Sequence, residues 1–154
     1  MNGISIRLAE PADREELARL RAALWPESLA EEHARELALI LAGKPPTVLP
    51  LVVLVAETED GTLAGFLEVG LRSHAEGCSE AQAVGYVEGW YVAEKFRRGG
   101  TGAELLRAAE DWARAQGCLE MASDAEIGND GSQRAHEALG FEIASRSVNY
   151  RKAL

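Results

Sequence analysis

The segment "KFRRGGTGAELLRAAEDWARA" places arginines and glycines directly before residues with an amphipathic helical pattern. Apolar side chains recur at helical spacing, so we expect a core-anchored helix from about Gly100 to Gln116. The N-terminus of a helix carries unpaired N–H groups and a partial positive charge. A glycine-rich turn adds further N–H groups, and Arg97 and Arg98 add full charges with geometry suited to phosphate. The segment therefore predicts a rigid turn that binds a pyrophosphate or a similar anion.

Familiar phosphate motifs do not describe this turn. It lacks the Gly-Lys-Ser/Thr ending of a nucleoside triphosphate P-loop. Its glycines also lack the spacing of a dinucleotide site after a first strand. A glycine-rich turn that only starts a helix is an equally good interpretation of these residues taken alone.

The rest of the chain alternates strand and helix patterns, which indicates an α/β fold with one central sheet. A capping-box pattern at Ser28 and Glu31 predicts the start of a second helix, and Gly43 predicts its end. "EDG" at residues 59–61 predicts a hairpin turn. We expect strands at residues 4–10, 51–57, 63–72, 83–92, 118–124 and 141–152. We expect further helices at residues 11–25 and around 132–139.

The composition limits the class of protein. The 154 residues correspond to one domain, residues 1–154, with a formal net charge of -9. That charge disfavours nucleic acid and suits a cationic substrate, although solubility alone also explains it. We expect no membrane span, no signal peptide and a cytoplasmic location. Cys78 and Cys118 lack metal-like spacing and are expected to be free thiols.

A set of motifs gives the turn a more specific interpretation. "Arg97-x-x-Gly100-x-Gly102" follows a strand ending in "GWYV", and the pattern "NDGSQRAHEALGF" begins at Asn129. Together they resemble the signatures of the GNAT (Gcn5-related) N-acetyltransferases. "LWP", "EGWYV", "GCLEMASD", "SQRAHEALGFE" and "YRK" are similar to segments of the aminoglycoside 6'-N-acetyltransferases in that family. The resemblance is dense from Tyr86 onward and sparse before it.

The resemblance implies an α/β (α+β) fold, a single GNAT-type domain with a central mixed, mostly antiparallel sheet flanked by helices. It implies direct transfer of acetyl from acetyl-CoA to an amine, with no metal. The residues implied to bind the cofactor are Trp90, Tyr91, Val92, Arg97, Arg98, Gly99, Gly100, Thr101, Gly102, Ala103, Asn129 and Ser132. Asn129 and Ser132 could instead cap the following helix.

The same resemblance implies catalytic roles for Glu88, Asp124 and His136. The carboxylates would bind the ammonium group of the acceptor and relay its proton. His136 would donate a proton to the leaving thiolate. Each residue also has a non-catalytic alternative: the carboxylates could be solvated or cap a turn, and the histidine could only pack against its helix.

On the acceptor side, the resemblance implies an aminoglycoside bound by Trp25, His74, Glu76, Glu88, Asp124 and Glu126. Trp25 could equally be a core residue that joins two helices. The loop at His74 is one residue shorter than the family pattern, and acidic residues are missing after Glu142, so we expect a weaker grip on a polycation. Another small amine, such as a polyamine or amino sugar, and a non-catalytic acetyl-CoA-binding module remain alternatives. The resemblance also implies a homodimer.

Overall fold

The computed structural model describes residues 3–154, which form five strands in one sheet with helices on both faces. The strands are β1 (Ser5–Leu8), β2 (Leu51–Glu57), β3 (Leu63–Arg72), β4 (Val84–Val92) and β5 (Met121–Ala122). The helices are α1 (Arg14–Leu24), α2 (Ala30–Leu41), α3 (Thr101–Ala115) and α4 (Asp130–Ala138). The sheet order is β1-β2-β3-β4-β5. All pairings are antiparallel except β4 with β5, which confirms the expected mixed, mostly antiparallel sheet.

Each face of the sheet has its own apolar core. Leu67, Val69 and Val87 pack under the stripe of α3 that includes Leu105 and Ala109. On the other face, Val53, Val55 and Phe66 pack against Leu17 of α1 and Leu37 of α2. The predicted strands at residues 51–57 and 63–72 are confirmed to the residue. Their near-continuous apolar sequence reflects burial on both faces.

Two features of the N-terminal half differ from the expectation. Residues Pro11–Asp13 form a 3₁₀ turn, closed by reciprocal contacts between Glu10 and Asp13, before α1 begins. The capping box predicted at Ser28 and Glu31 is wrong, because α2 begins after Leu29 and has no side-chain cap. Gly43 does end α2, in a left-handed conformation with φ of 75°. Its N–H donates to the carbonyl of Ile40.

The final strand predicted at residues 141–152 is also wrong. In the described structure this segment pairs with no strand, and its side chains from Glu142 onward are exposed. Exposed apolar side chains include Val148 and Tyr150. The alternation of apolar and polar residues in "FEIASRSVNYRK" is a strand pattern, but a strand also needs an edge to pair with. We call residues 142–154 the C-terminal arm.

Candidate active site

The glycine-rich turn has the backbone conformation of an anion nest. Arg98 has a φ of 67° and Gly100 a φ of 84°, both in the left-handed region. Gly100 is the N-cap of α3, and its carbonyl accepts the N–H of Glu104. The N–H groups that follow, from Thr101 to Ala103, have no acceptor within a regular helix. A Cβ built on Gly100 would meet nothing within 4 Å in the described structure, so the space beside this glycine is open.

Contacts from β4 hold this turn in place. The indole N–H of Trp90 donates to the carbonyl of Gly102 at 3.2 Å. The Nε of Arg97 donates to the carbonyl of Val92 at 2.7 Å, and its guanidinium lies 5.4 Å from the centre of the Tyr91 ring. Arg97 therefore helps to fix the turn as well as contributing charge, while Arg98 is exposed beside it.

The sheet has a gap on the β5 side of β4. β5 pairs with β4 only at Gly85 and Tyr86, so β4 continues to Val92 with β3 alone beside it. The register between β3 and β4 shifts at Glu68, which lies opposite Gly89, while Val69 lies opposite Val87. Glu88 is the extra residue of a β-bulge, a device that re-aims side chains beside active sites.

Glu88 is held by an arginine that the sequence did not single out. Arg72 Nε donates to Glu88 Oε2 at 2.9 Å and Nη2 donates to Oε1 at 2.7 Å. The Arg72 guanidinium also lies flat over Tyr86, 3.5 Å from the ring centre. Hydrogen bonding to Glu88 is the largest cause that raises the pKa of Arg72 above its ordinary value.

Asp124 joins the same group through Tyr86. The Tyr86 hydroxyl donates to Asp124 Oδ2 at 2.5 Å. Burial, followed by this hydrogen bond, raises the pKa of Tyr86, so the phenol stays protonated at neutral pH. The structure therefore brings the predicted pair Glu88 and Asp124 into one chain of contacts. Arg72 and Tyr86 were not predicted as site residues. They share one face of the sheet because Arg72 lies opposite Val84 and Tyr86 lies opposite Gly70, and this register cannot be read from the sequence.

His136 is tied to its surroundings through both ring nitrogens. Nδ1 lies 2.7 Å from the carbonyl of Ser132, and Nε2 lies 2.8 Å from the hydroxyl of Ser123. A carbonyl can only accept, so Nδ1 carries a proton and donates it to Ser132, and in the singly protonated ring Nε2 accepts from the hydroxyl of Ser123. The ring also contacts Trp90 and Phe141 edge to face, with centroids 5.3 Å and 5.2 Å away.

An acidic cleft of about 380 Å³ opens beside Glu88, between α1, α2 and the sheet. Trp25 is one wall: its ring stacks on His33, contacts Phe66 at its edge and covers Gly89. Trp25 therefore packs against the core and also lines the cleft, so its two suggested positions, in the core and at the acceptor site, are compatible. The acidic side chains lining the cleft are Glu27, Glu32, Glu36, Glu68 and Glu88.

The floor of the cleft contains a buried ion pair. Glu68 on β3 is 3% exposed, and its Oε2 lies 2.9 Å from the Nε of Arg21. Arg21 also donates from Nη2 to Glu36 at 2.8 Å and lies over the Trp25 ring. Burial raises the pKa of Glu68 to about 7, with Arg21 opposing the rise and Glu36 and Glu88 adding to it. The sequence did not indicate this residue, since it lies within an otherwise apolar strand.

Other predicted site residues lie elsewhere. His74 and Glu76 are exposed on the loop after β3, where the His74 ring lies 3.6 Å from Glu80. Glu126 is exposed on the loop before α4. These three residues do not line the cleft in the described structure. Asn129 is the N-cap of α4, and its side-chain oxygen accepts the N–H of Ser132 at 3.0 Å.

Other classes of site receive no support from residues 3–154. This range has no grouping of three or more His, Cys, Asp or Glu side chains that could hold a metal ion. None of its helices is long and apolar enough to cross a membrane. Cys78 and Cys118 are free thiols, as expected, and burial raises the pKa of each.

Comparisons with known proteins agree with this geometry. The model of the acetyltransferase (GNAT) family matches residues 14–141. An aminoglycoside N(6')-acetyltransferase type 1 from Klebsiella aerogenes is 40% identical over 149 residues, covering 97% of this chain and 96% of that enzyme. The enzyme of the same name from Serratia marcescens is 44% identical over 136 residues, covering 88% of this chain and 89% of that enzyme.

Solved structures show the same architecture. The aminoglycoside acetyltransferase AAC(6')-Iy, in complex with the bisubstrate analogue CoA-S-monomethyl-acetylneamine, has a TM-score of 0.87 and 32% identity, covering 98% of this chain and 99% of that one. AAC(6')-Ih from Acinetobacter baumannii has a TM-score of 0.85 and 28% identity, covering 99% of each chain. The family model matches most of the chain, and the structure has the glycine-rich turn before α3 and the bulge in β4. This chain therefore belongs to the GNAT acetyltransferase family.

Proposed function

We propose that this protein transfers the acetyl group of acetyl-CoA to the 6'-amine of an aminoglycoside. The observation that carries the proposal is the acidic cleft that ends at Glu88, beside the gap between β4 and β5. A polycationic acceptor is complementary to such a cleft. The relatives and structures named above as aminoglycoside 6'-acetyltransferases support this class of acceptor.

The residues present fit acetyl-CoA. The pyrophosphate would be held by the N–H groups from Gly100 to Ala103, with Arg98 and the outer nitrogens of Arg97 adding charge. The open space in front of Gly100 leaves room for it. Beyond β5, the edge of β4 that faces away from β3 has no partner strand, so Trp90, Tyr91 and Val92 would offer backbone groups there to the extended arm of the cofactor. When bound, acetyl-CoA supplies an acetyl group activated as a thioester.

The side chains around the gap prepare the acceptor amine. Glu88 and Asp124 attract its ammonium form, and a carboxylate, directly or through water, takes the proton that the amine must lose before it attacks. Trp25 provides a flat apolar wall for the sugar ring. Both ring nitrogens of His136 are engaged, so donation from Nε2 to the leaving thiolate would require that nitrogen to carry a proton and to give up its contact with Ser123.

A second candidate acceptor is another small amine, such as a polyamine or amino sugar. Glu142 and the residues after it are exposed and do not line the cleft, so its acidity comes from the loop after α1, from α2 and from the sheet. Such a cleft recognises positive charge without requiring an aminoglycoside ring system. A non-catalytic acetyl-CoA-binding module would bind the cofactor but release no thiol.

Thiol release from acetyl-CoA separates these candidates. We expect thiol release with kanamycin-type acceptors that carry a 6'-amine, and none with matched acceptors that carry a 6'-hydroxyl. Release only with other amines would support the second candidate. Binding of acetyl-CoA without release with any amine would contradict an enzymatic role.

We also propose a cytoplasmic homodimer that binds no nucleic acid. The C-terminal arm exposes Ile143, Val148 and Tyr150, and an unpaired strand-like segment with apolar side chains suits pairing with a second copy. Sedimentation equilibrium tests this: we expect the mass of a dimer for the full chain and of a monomer for Val148→Asp. A full chain that sediments as a monomer at micromolar concentration would contradict it.

A further inference from the structure

We propose that Arg72 and Tyr86 are positioning residues for acetyl transfer, holding Asp124 as one unit with Glu88, which lines the acceptor cleft. The inference rests on the proposed function. It goes further by assigning roles to two residues for which the family resemblance implied none.

The contacts form one unbroken series from carboxylate to carboxylate. The planar guanidinium of Arg72 makes two hydrogen bonds to Glu88, so it fixes both the position and the plane of that carboxylate. The same plane lies against the Tyr86 ring at 3.5 Å. The Tyr86 hydroxyl then donates to Asp124 at 2.5 Å. A shift of any one member therefore moves the others.

The placement of these groups explains why an anchor is needed. Glu88 is the extra residue of a β-bulge, so regular pairing with β3 does not fix its direction. Asp124 is exposed and follows β5, which is only Met121–Ala122. Both carboxylates are therefore weakly fixed by their own backbone, and Arg72 and Tyr86 supply the restraint.

If the Arg72–Glu88 pair only stabilised the fold, losing it would mainly lower the free energy of unfolding. The side chain of Arg72 is 45% exposed and that of Glu88 is 28% exposed. Ion pairs this exposed contribute little to the free energy of unfolding. We therefore expect loss of the pair to change the reaction much more than the stability of the fold. The planar guanidinium of arginine can make two parallel hydrogen bonds to a carboxylate and can stack on an aromatic ring, and the ammonium group of lysine can do neither.

The test compares Arg72→Gln, Arg72→Lys, Tyr86→Phe and the double variant Arg72→Gln with Tyr86→Phe. Thiol release with kanamycin gives kcat and KM, and calorimetry gives the Kd for acetyl-CoA. Arg114→Lys is the matched control, because Arg114 makes an exposed ion pair with Asp111 on α3, away from the cleft. Tyr86→Phe keeps the ring and its stacking and removes only the hydroxyl.

We expect each single variant to lower kcat/KM for kanamycin by ~10- to 100-fold, the size of effect that misplaced reacting groups produce. The Kd for acetyl-CoA should stay within about threefold of wild type, as should all values for Arg114→Lys. Arg72→Lys should resemble Arg72→Gln, because charge alone does not restore the two parallel hydrogen bonds. The double variant should be little worse than the worse single variant, as expected for one unit.

Three results in the activity assay would overturn the inference while the wild-type enzyme is active. They are a kcat/KM within about twofold of wild type for Arg72→Gln, full rescue by Arg72→Lys, and effects that multiply in the double variant. Loss of acetyl-CoA binding in Tyr86→Phe would also overturn it, by showing a structural role. An inactive wild-type protein would instead overturn the proposed function, and the inference with it.

Discussion

The buried carboxyl group of Glu68 makes the stability of the fold depend on pH. Burial raises its pKa from 4.5 to about 7, because the charged form loses its contact with water on the floor of the cleft. In the unfolded chain the group titrates at its ordinary value. Between these two pH values the folded protein therefore holds one proton more than the unfolded protein, and the free energy of unfolding must fall as the pH rises.

The size of this effect follows from the two pKa values. A difference between 4.5 and about 7 corresponds to a loss of about 3 kcal/mol, complete above about pH 7. Other shifted groups act outside this window. Arg7 holds the pKa of Asp13 below its ordinary value, so Asp13 loses its stabilising effect only at lower pH. Burial raises the pKa of the Cys118 thiol above its ordinary value of 9, so it acts at higher pH.

Urea unfolding at a series of pH values from about 5 to about 8 measures this dependence. We expect the free energy of unfolding to decrease across the series in the wild-type protein and to stay nearly level in Glu68→Gln. Glu59→Gln is the matched control, since Glu59 is exposed in the hairpin turn. A wild-type curve that is level or rises over this range, or a Glu68→Gln curve that falls as steeply as wild type, would refute the reasoning.

Three substitutions test other parts of the site. In Gly89→Ala the new Cβ would lie 2.5 Å from Cη2 of Trp25, so the ring must move; we expect a higher KM for the acceptor and a loss of about 1–3 kcal/mol in urea unfolding. An unchanged KM would remove Trp25 from the acceptor site. Gly100→Asp, at a φ of 84°, places a negative charge in the anion nest and should abolish acetyl-CoA binding in calorimetry. Gly43→Asp shares the left-handed backbone and should bind normally; normal binding by Gly100→Asp would contradict the turn assignment. Asp124→Asn can still accept from Tyr86 but loses its charge, so we expect kcat to fall far more than acetyl-CoA affinity; an unchanged kcat would exclude Asp124 from the reaction.

Local patterns predicted the two central strands and the helix after the glycine-rich turn well. The strands at residues 51–57 and 63–72 are long, apolar and bounded by turn signals, so their limits agree with the structure. The helix predicted from about Gly100 to Gln116 is α3, because its apolar stripe has a clear 3.6-residue period and glycines mark its start. In these segments, local preference and tertiary packing favour the same structure.

The acceptor site was only partly predictable because it depends on register between strands. Glu88 and Trp25 were singled out and do line the cleft. Acidic residues were also expected from the loops at Glu76 and Glu126, whereas the further acidic side chains come from the loop after α1, from α2 and from β3. The contact of Arg72 with Glu88 depends on the register of β3 and β4 and on the bulge at Glu88, and the ion pair of Glu68 depends on how α1 packs on β3. Periodicity alone does not contain that information.

The C-terminal arm shows the opposite limit. Residues 141–152 have the alternation of a strand, yet the described structure leaves them unpaired. Alternation reports a preference for extended backbone, while a strand exists only where a neighbour supplies hydrogen bonds. No pattern within the segment could say whether that neighbour belongs to the same chain.

The position of the acetyl group on the product tests the central claim most directly. Kanamycin incubated with acetyl-CoA and the wild-type protein can be isolated and its acetylated nitrogen assigned by two-dimensional NMR. We expect a single product acetylated at the 6'-amine, with one thiol released for each acetyl group transferred. Acetylation at another nitrogen, or unmodified kanamycin after prolonged incubation with a protein that binds acetyl-CoA, would contradict it.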